Sequence, residues 1–502
     1  MTEIAMNEQG PPKPSSYAQI LKSTAMIGGS SIVNVGFAII RNKAMALLLG
    51  PSGVGLMGLY GSIVDLTQTL AGLGIPASGV RQIAEATATQ DEDRVARTTL
   101  MLRRVSIVLG LLGATLLGLL ALPVARFTFG DDTHVVAVML LGAAVCLQLV
   151  SAGQMALVQG MRRISHLAQI TMLGAFFSTA IGIPMIYVFG EQGIVPAFIA
   201  MALASLLTSW WYARQIRIKP VALSAREVGQ EATALLKLGV VFMASAFLTT
   251  GAAYAIRLIV LRHDGFEAAG LYQAAWALGG LYAGFILQAM GTDFYPRLTA
   301  VANDNPECNR LVNEQAQISI LLAGPGLLAT LTVAPLVMTV FYSQAFVPAV
   351  DLLRWICLGM MLRIVAWPMG FIVLAKGDRK VFFWTEVAAT TVHVGLAWLL
   401  VPQIGLTGAG IAFFGLYVWH SCLIYVIVRR MSGFRWSTEN LRLGVIFLPA
   451  AAAVFAALMF LPFWPATAIG IALTAITGLY SLRLLLKLLP AESLPGFVRR
   501  WA

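Results

Sequence analysis

Long apolar runs separated by short polar breaks organise the whole chain. Bounded by charge or by Gly and Pro, they fall at 22–49, 54–76, 104–129, 134–158, 166–189, 192–213, 236–262, 268–291, 315–341, 346–374, 381–400, 406–428, 441–461 and 465–486. About 20 helical residues cross the ~30 Å of hydrocarbon in a bilayer, so these runs have the length of membrane spans. They are continuous and lack the ten-residue alternating segments that a lipid-facing barrel requires. The pattern predicts an all-α polytopic membrane protein with about 14 transmembrane helices. Several runs exceed the minimum, which implies tilt or extension beyond the bilayer.

Composition agrees. The chain has 502 residues, 58% of them hydrophobic and 11% charged, with mean hydropathy +0.80. Soluble domains carry about 25% charged residues. In lipid every backbone polar group must be satisfied internally, which is the reason to expect helices. Residues 1–20, "MTEIAMNEQGPPKPSSYAQI", are polar and proline-rich, and are expected to form a disordered cytoplasmic tail. They have no basic region leading into an apolar core, so they do not resemble a signal peptide. Cys146, Cys308, Cys357 and Cys422 show neither metal spacing nor a disulfide framework and are expected to be buried hydrophobes. No metal and no cofactor are expected.

Charge sorts the loops. "GPSG" at 50, "EQG" at 191, "YSQA" at 342, "PQIGLTG" at 402 and "PFWP" at 462 contain no Lys or Arg. The alternate set is basic: residues 81–104, "MRRISH" at 161, "RQIRIKP" at 214, "KGDRK" at 376, "RRMSGFRW" at 429 and "FVRRWA" at the end. Of 34 Lys and Arg, all but Arg41, Lys43, Arg126, Arg257, Arg262, Arg354 and Arg363 fall on the side of the basic loops and the tails. By the positive-inside rule that side is cytoplasmic, with both termini. The net charge of +11 is thus a topology signal and not a nucleic-acid footprint.

The chain also repeats. "GVGLMGLYGS" at 53 matches "AAGLYQAAWA" at 268, placing Gly55 over Gly270. "GIVPAFIAM" at 193 matches "GAGIAFFGL" at 408, placing Gly193 over Gly408, again 215 residues apart. "GMRRI" at 160 and "GDRKV" at 377 agree at 217. The unit holds six spans, an even number, so the halves share one orientation about an axis along the membrane normal. The expected division is a six-helix bundle at 21–213, a cytoplasmic linker at 214–235, a second like-oriented six-helix bundle at 236–430, and two extra transmembrane helices with a cytoplasmic tail at 431–502. Two such bundles are an architecture for alternating access.

Some charges lie where lipid should be, at a cost of about 3 kcal/mol or more each. In "FAIIRNKAMALLLGPSG", Lys43 is about 10 Å and Arg41 about 13 Å along the helix from Gly50. Lys43 can snorkel to the interface, while Arg41 is at the limit of that reach. Two residues apart on a helix, the pair points about 200° apart and cannot share one cavity squarely. Arg257, near the 215-residue counterpart of Arg41, occupies a similar depth in the second half. Arg363 is deepest, about 20 Å from Lys376. Asp65 is central in "GSIVDLTQTL". The expectation is a wet cavity of net positive charge, lined by Arg41, Arg257 and Arg363 and disputed for Lys43. Asp65 and His393 are the counter-ion or coupling candidates, although a lone mid-span histidine is more often a helix–helix hydrogen bonder. Glu386 is expected to reach the cytoplasmic interface. "DEDR" at 91 reads as a solvated helix face. No strand precedes "GPSGVG" or "GLTGAG", and there is no P-loop, HExxH or nucleophile elbow.

"LLLGPSGVGLMGLYGSI", the following "GIPASGVRQIAE", and "FVPAVDLLRWICLGMMLRIVAWPMGFIVLAKGDRKVFFWTEV" at 346–387 resemble the Wzx-type O-antigen and polysaccharide flippases. These belong to the multidrug/oligosaccharidyl-lipid/polysaccharide exporter superfamily, and the likeness runs from about 20 to 430. It implies a bacterial inner-membrane protein, not an enzyme, that moves an undecaprenyl-diphosphate-linked oligosaccharide between leaflets. The diphosphate would meet the cavity cations. The resemblance also implies cations at the positions of Lys43 and Arg257, and partners in a polysaccharide polymerase and chain-length machinery. The last two helices depart from the common twelve-span pattern. Alternatives are a cation-coupled multidrug or lipid II exporter of the same fold, and a membrane polysaccharide polymerase. Against the last, every outer loop is under about ten residues, too short for a soluble catalytic segment.

Overall fold

A computed structural model describes residues 16–219, 221, 225–290 and 294–488. The expected tail at 1–15, the residues at 220 and 222–224 within the expected linker, and the end at 489–502 lie outside these. Among the described residues there are sixteen α-helices and no strand. They are α1 (Ser16–Ala71), α2 (Ile75–Ala88), α3 (Glu92–Leu119), α4 (Ala121–Phe129), α5 (Val135–Gly160), α6 (Ile164–Phe189), α7 (Ile194–Ala213), α8 (Ala225–Ala289), α9 (Tyr295–Ala300), α10 (Asn305–Thr332), α11 (Ala334–Phe341), α12 (Val350–Ala375), α13 (Arg379–Ile404), α14 (Thr407–Ser432), α15 (Thr438–Phe460) and α16 (Phe463–Leu488).

The chain is a multi-pass membrane protein. Among the described residues, eleven segments are long and apolar enough to span, against the expected fourteen. Three of the eleven, Val33–Ala71, Ser165–Ala213 and Phe242–Leu281, each run across two expected spans. Glycines break them. Gly50 (φ 65°, ψ −173°) interrupts α1, and Gly265 (φ 80°, ψ −174°) interrupts α8. That region of backbone space is essentially open to glycine alone. Two other expectations change. The run 104–129 divides at Leu120 into α3 and α4, and 315–341 divides at Val333 into α10 and α11. Pro335 lacks an N–H and fits the first turn of α11, where none is needed. Half of the expected linker is helical, since α8 begins at Ala225, and Ser16 already lies in α1, inside the expected tail.

Elements recur along the chain. α5 and α12 each have 26 residues and begin 215 apart, as do α6 and α13. α3 and α10 each have 28 residues and begin 213 apart.

The sharpest local consequence is at α1 and α8. A Cβ on Gly55 would lie 2.2 Å from the Phe266 carbonyl oxygen, and one on Gly270 would lie 1.8 Å from that of Pro51. Gly55 and Gly270 are 215 residues apart, as are Pro51 and Phe266. The contact is therefore self-complementary, as contacts across a two-fold axis are. Close approach of two backbones is what small residues permit at helix crossings in lipid.

Two opposite ends follow. In the part of α1 that follows Gly50, Glu191 lies against Gly53 and Phe266 against Gly55; Phe266 packs on Phe129 and His134, and Tyr60 Oη is 2.8 Å from His134 Nδ1. At the far end Gly74 meets Gly239, where a Cβ would be 2.0 Å from the Gly239 carbonyl oxygen, and Ser78 donates to the Leu235 carbonyl at 2.9 Å.

Candidate functional site

A cavity of about 370 Å³ lies between α1 and α8, closed on one side by α6 and α7. Arg41, Asn42, Asp65, Arg257 and Gln273 supply its polar wall. Met45, Met57, Ile186, Ile194, Phe198 and Met201 supply the apolar one.

Each cavity arginine is held by a serine. Arg41 Nη1 donates to Ser178 Oγ on α6, and Arg257 Nη1 donates to Ser62 Oγ on α1. One serine bond uses a single N–H of a group that carries five, so each guanidinium stays oriented with donors to spare. Arg257 Nε and Gln273 Oε1 have no hydrogen-bond partner among the described residues. Asp65 is exposed to the cavity and its charge interacts with that of Arg257. Arg257 comes from the part of α8 before Gly265 and Ser62 from the part of α1 after Gly50, so this bond joins segments 195 residues apart.

The other expected site residues lie elsewhere. Lys43 is not among the cavity residues. Its Nζ donates to the main-chain carbonyl of Thr339 on α11 at 2.7 Å, so it neither snorkels freely nor joins Arg41. Asn42, beside it, reaches Tyr342 Oη at 3.4 Å. Arg363 is on α12, away from Arg41 and Arg257. Its guanidinium lies 4.7 Å from the centre of the Trp367 ring and 5.8 Å from that of Tyr417. Its charge reaches Glu386, His393 and His420. Glu386 and His420 line a second cavity, of about 260 Å³, with Trp367 and Thr249. Glu386 therefore lines a cavity bounded by α8, α12, α13 and α14. His393 is buried 5.6 Å from the Phe413 ring, and its Nε2 has no partner among the described residues. No cluster of metal-ligating side chains occurs among the described residues.

Ser62, Ser178 and Gln273 were missed from the sequence. Ser62 sits one turn before Asp65, a spacing that puts both on one helix face and was available to be read. Gln273 is the 215-residue counterpart of Gly58, and the two touch. Ser178, inside "AFFSTAIG", carries no signal beyond a hydroxyl in an apolar run.

Residues 44–351 match the family described as "Polysaccharide biosynthesis protein". The lipid III flippase of Escherichia coli (strain K12) is 22% identical over 432 residues, covering 82% of this chain and 99% of that one. Among solved structures, the lipid II flippase MurJ in an inward closed conformation superposes with TM-score 0.67 at 13% identity. That match covers 92% of this chain and 99% of the other. An inward-facing multidrug resistance MATE family transporter of the MOP superfamily gives 0.66 at 17%, covering 84% and 98%. The fold is that of these transporters.

Proposed function

This chain belongs to the polysaccharide biosynthesis protein family, and on that premise we propose that it is a flippase for a lipid-linked oligosaccharide. One observation carries the reading: a single intramembrane cavity holds Arg41 and Arg257, contributed by α1 and α8, beside an apolar wall. Placing two cations there is costly in lipid, and an anionic cargo offsets that cost. Guanidinium groups engage phosphate oxygens bidentately, so the undecaprenyl diphosphate handle is the group they fit. Asp65 serves as counter-ion to Arg257 when the site is unloaded.

The reading divides the chain into two like-oriented six-helix units at 21–213 and 236–430, which rock about the axis at Gly55 and Gly270. Element lengths recurring at 213–215 residues support it. On this reading the far end and both termini face the cytoplasm of a bacterium and the Gly50 end faces outward from the inner membrane; the basic loops support that orientation. At about 370 Å³ the cavity suits a small ligand and not an oligosaccharide, so loading requires one end to open. A polymerase and chain-length machinery would receive the flipped unit.

Two arginines against one carboxylate favour an anion over a cationic drug. A lipid II exporter of the same fold is the alternative reading. Arg363, Glu386, His393 and His420 form a second polar cluster, which we assign to energy coupling. Deleting the gene is expected to abolish surface polysaccharide and to accumulate lipid-linked units on the cytoplasmic face. Normal surface polysaccharide in the deletion strain overturns the proposal.

A further inference from the structure

The Gly50 end carries two matching cross-links that the cavity does not use. On one side of the Gly55–Gly270 crossing, Lys43 of α1 donates to the carbonyl of Thr339 at 2.7 Å, in the last turn of α11. On the other, Arg262 of α8 donates to the carbonyl of Phe127 at 2.6 Å, in the last turn of α4. α4 and α11 begin 213 residues apart, so the acceptor helices occupy corresponding places in the repeat, while Arg262 lies one helical turn beyond the 215-residue counterpart of Lys43, which is Leu258. Each is seconded by a neighbouring polar pair: Asn42 to Tyr342 on one side, and Tyr254 to Thr128, at 2.6 Å, on the other.

The chemistry is the same on both sides. The last four carbonyls of a helix lack intrahelical donors, and the C-terminal end carries partial negative charge. A cation from another element satisfies both deficits. Lys43 and Arg262 do this for the short helix of the opposite half. The backbones they flank touch without any side chain between them, because Gly55 and Gly270 have no Cβ. Phe266 adds a ring stacked on Phe129 at 6.2 Å.

We propose that this end is a gate, pivoting at the Gly55–Gly270 crossing and latched by Lys43 and Arg262 on the helix ends of the opposite half. The inference rests on the alternating-access reading above. Lys43 then acts on the opening of the cavity and not on the cargo.

The test uses a background in which Cys146, Cys308, Cys357 and Cys422 are replaced by alanine and a reporter, Met57→Cys, lines the cavity. Labelling by a membrane-impermeant maleimide is followed in spheroplasts. Lys43→Met and Arg262→Met are each expected to speed labelling several-fold, and the double variant more. Lys43→Arg is expected to restore the starting rate. Gly270→Ala, which pushes the backbones apart, is expected to speed labelling without touching either latch. Binding of undecaprenyl diphosphate to the purified protein is measured in parallel. Lys43→Met is expected to keep it within about twofold and Arg41→Ala to lose it. The gate is overturned if the double variant and Gly270→Ala both label at the starting rate. The role given to Lys43 is overturned if Lys43→Met loses binding as Arg41→Ala does. If the unaltered protein binds no undecaprenyl diphosphate, the cargo reading fails, while the labelling arm still decides the gate.

Discussion

Arg41 and Lys43 are two residues apart and do different things because a helix turns about 100° per residue. Arg41 faces the α6 serine and the cavity, and Lys43 faces a carbonyl on α11. The divergence was readable from spacing, but the partners were not. Charge-assisted hydrogen bonds are worth about 1.5–3 kcal/mol, so Arg41→Ala or Arg257→Ala should lower transport roughly 10- to 100-fold. Membrane levels should stay normal, as an immunoblot beside a surface-polysaccharide assay checks. Ser178→Ala removes one charge-assisted bond that orients Arg41 and leaves the guanidinium itself in place, so it should cost less than Arg41→Ala. Arg363 lies apart from both, stacked on Trp367. Arg363→Ala should leave undecaprenyl diphosphate binding intact while impairing transport, and equal loss of binding would return it to the cargo site.

At the scale of elements, glycines act in two ways. Gly50 and Gly265 adopt backbone angles that L residues avoid, yet open space surrounds their missing Cβ atoms. Alanine at either position should therefore cost only conformation, about 1–3 kcal/mol, seen as a lower melting temperature of the detergent-purified protein. Gly55 and Gly270 are the reverse case, since an added Cβ would collide with carbonyl oxygens of the other helix. α10 shows a related dependence. It buries Gln315, Gln317 and Ser319, and α15 and α16 cover part of it, with Phe447 against Gly324 and Thr332 against Gly470. Polar groups turned toward lipid are costly, so truncation after Ser432 should sharply reduce the amount of protein in the membrane.

For the whole molecule, orientation is the first thing to settle. A cysteine replacing Gln192, near the Gly50 end, should react with impermeant maleimide in spheroplasts. One replacing Arg162, in a basic loop, should react only after lysis. The reverse pattern would invert the assignment of the two ends. The cavity joins α1 and α8 across the middle of the chain, so neither half alone holds both arginines. Co-expressed halves should recover transport only if they reassociate, which co-purification tests.

Much of this protein is determined by its linear sequence, because lipid as solvent leaves few choices. Apolar length sets helices and spans, Lys and Arg set the basic ends, and the 215-residue recurrence of Gly55 at Gly270 marks the axis. Depth is legible as well, since rise per residue converts position into ångströms. What lies beside a residue is not. Arg41 meets a serine 137 residues away, and Lys43 meets a carbonyl 296 residues away, one that belongs to a helix the hydrophobic run did not separate from its neighbour. Two cations at similar depth look alike to a hydropathy profile. Only the packing of helices distant in sequence decided that one faces the cavity and the other holds a helix end.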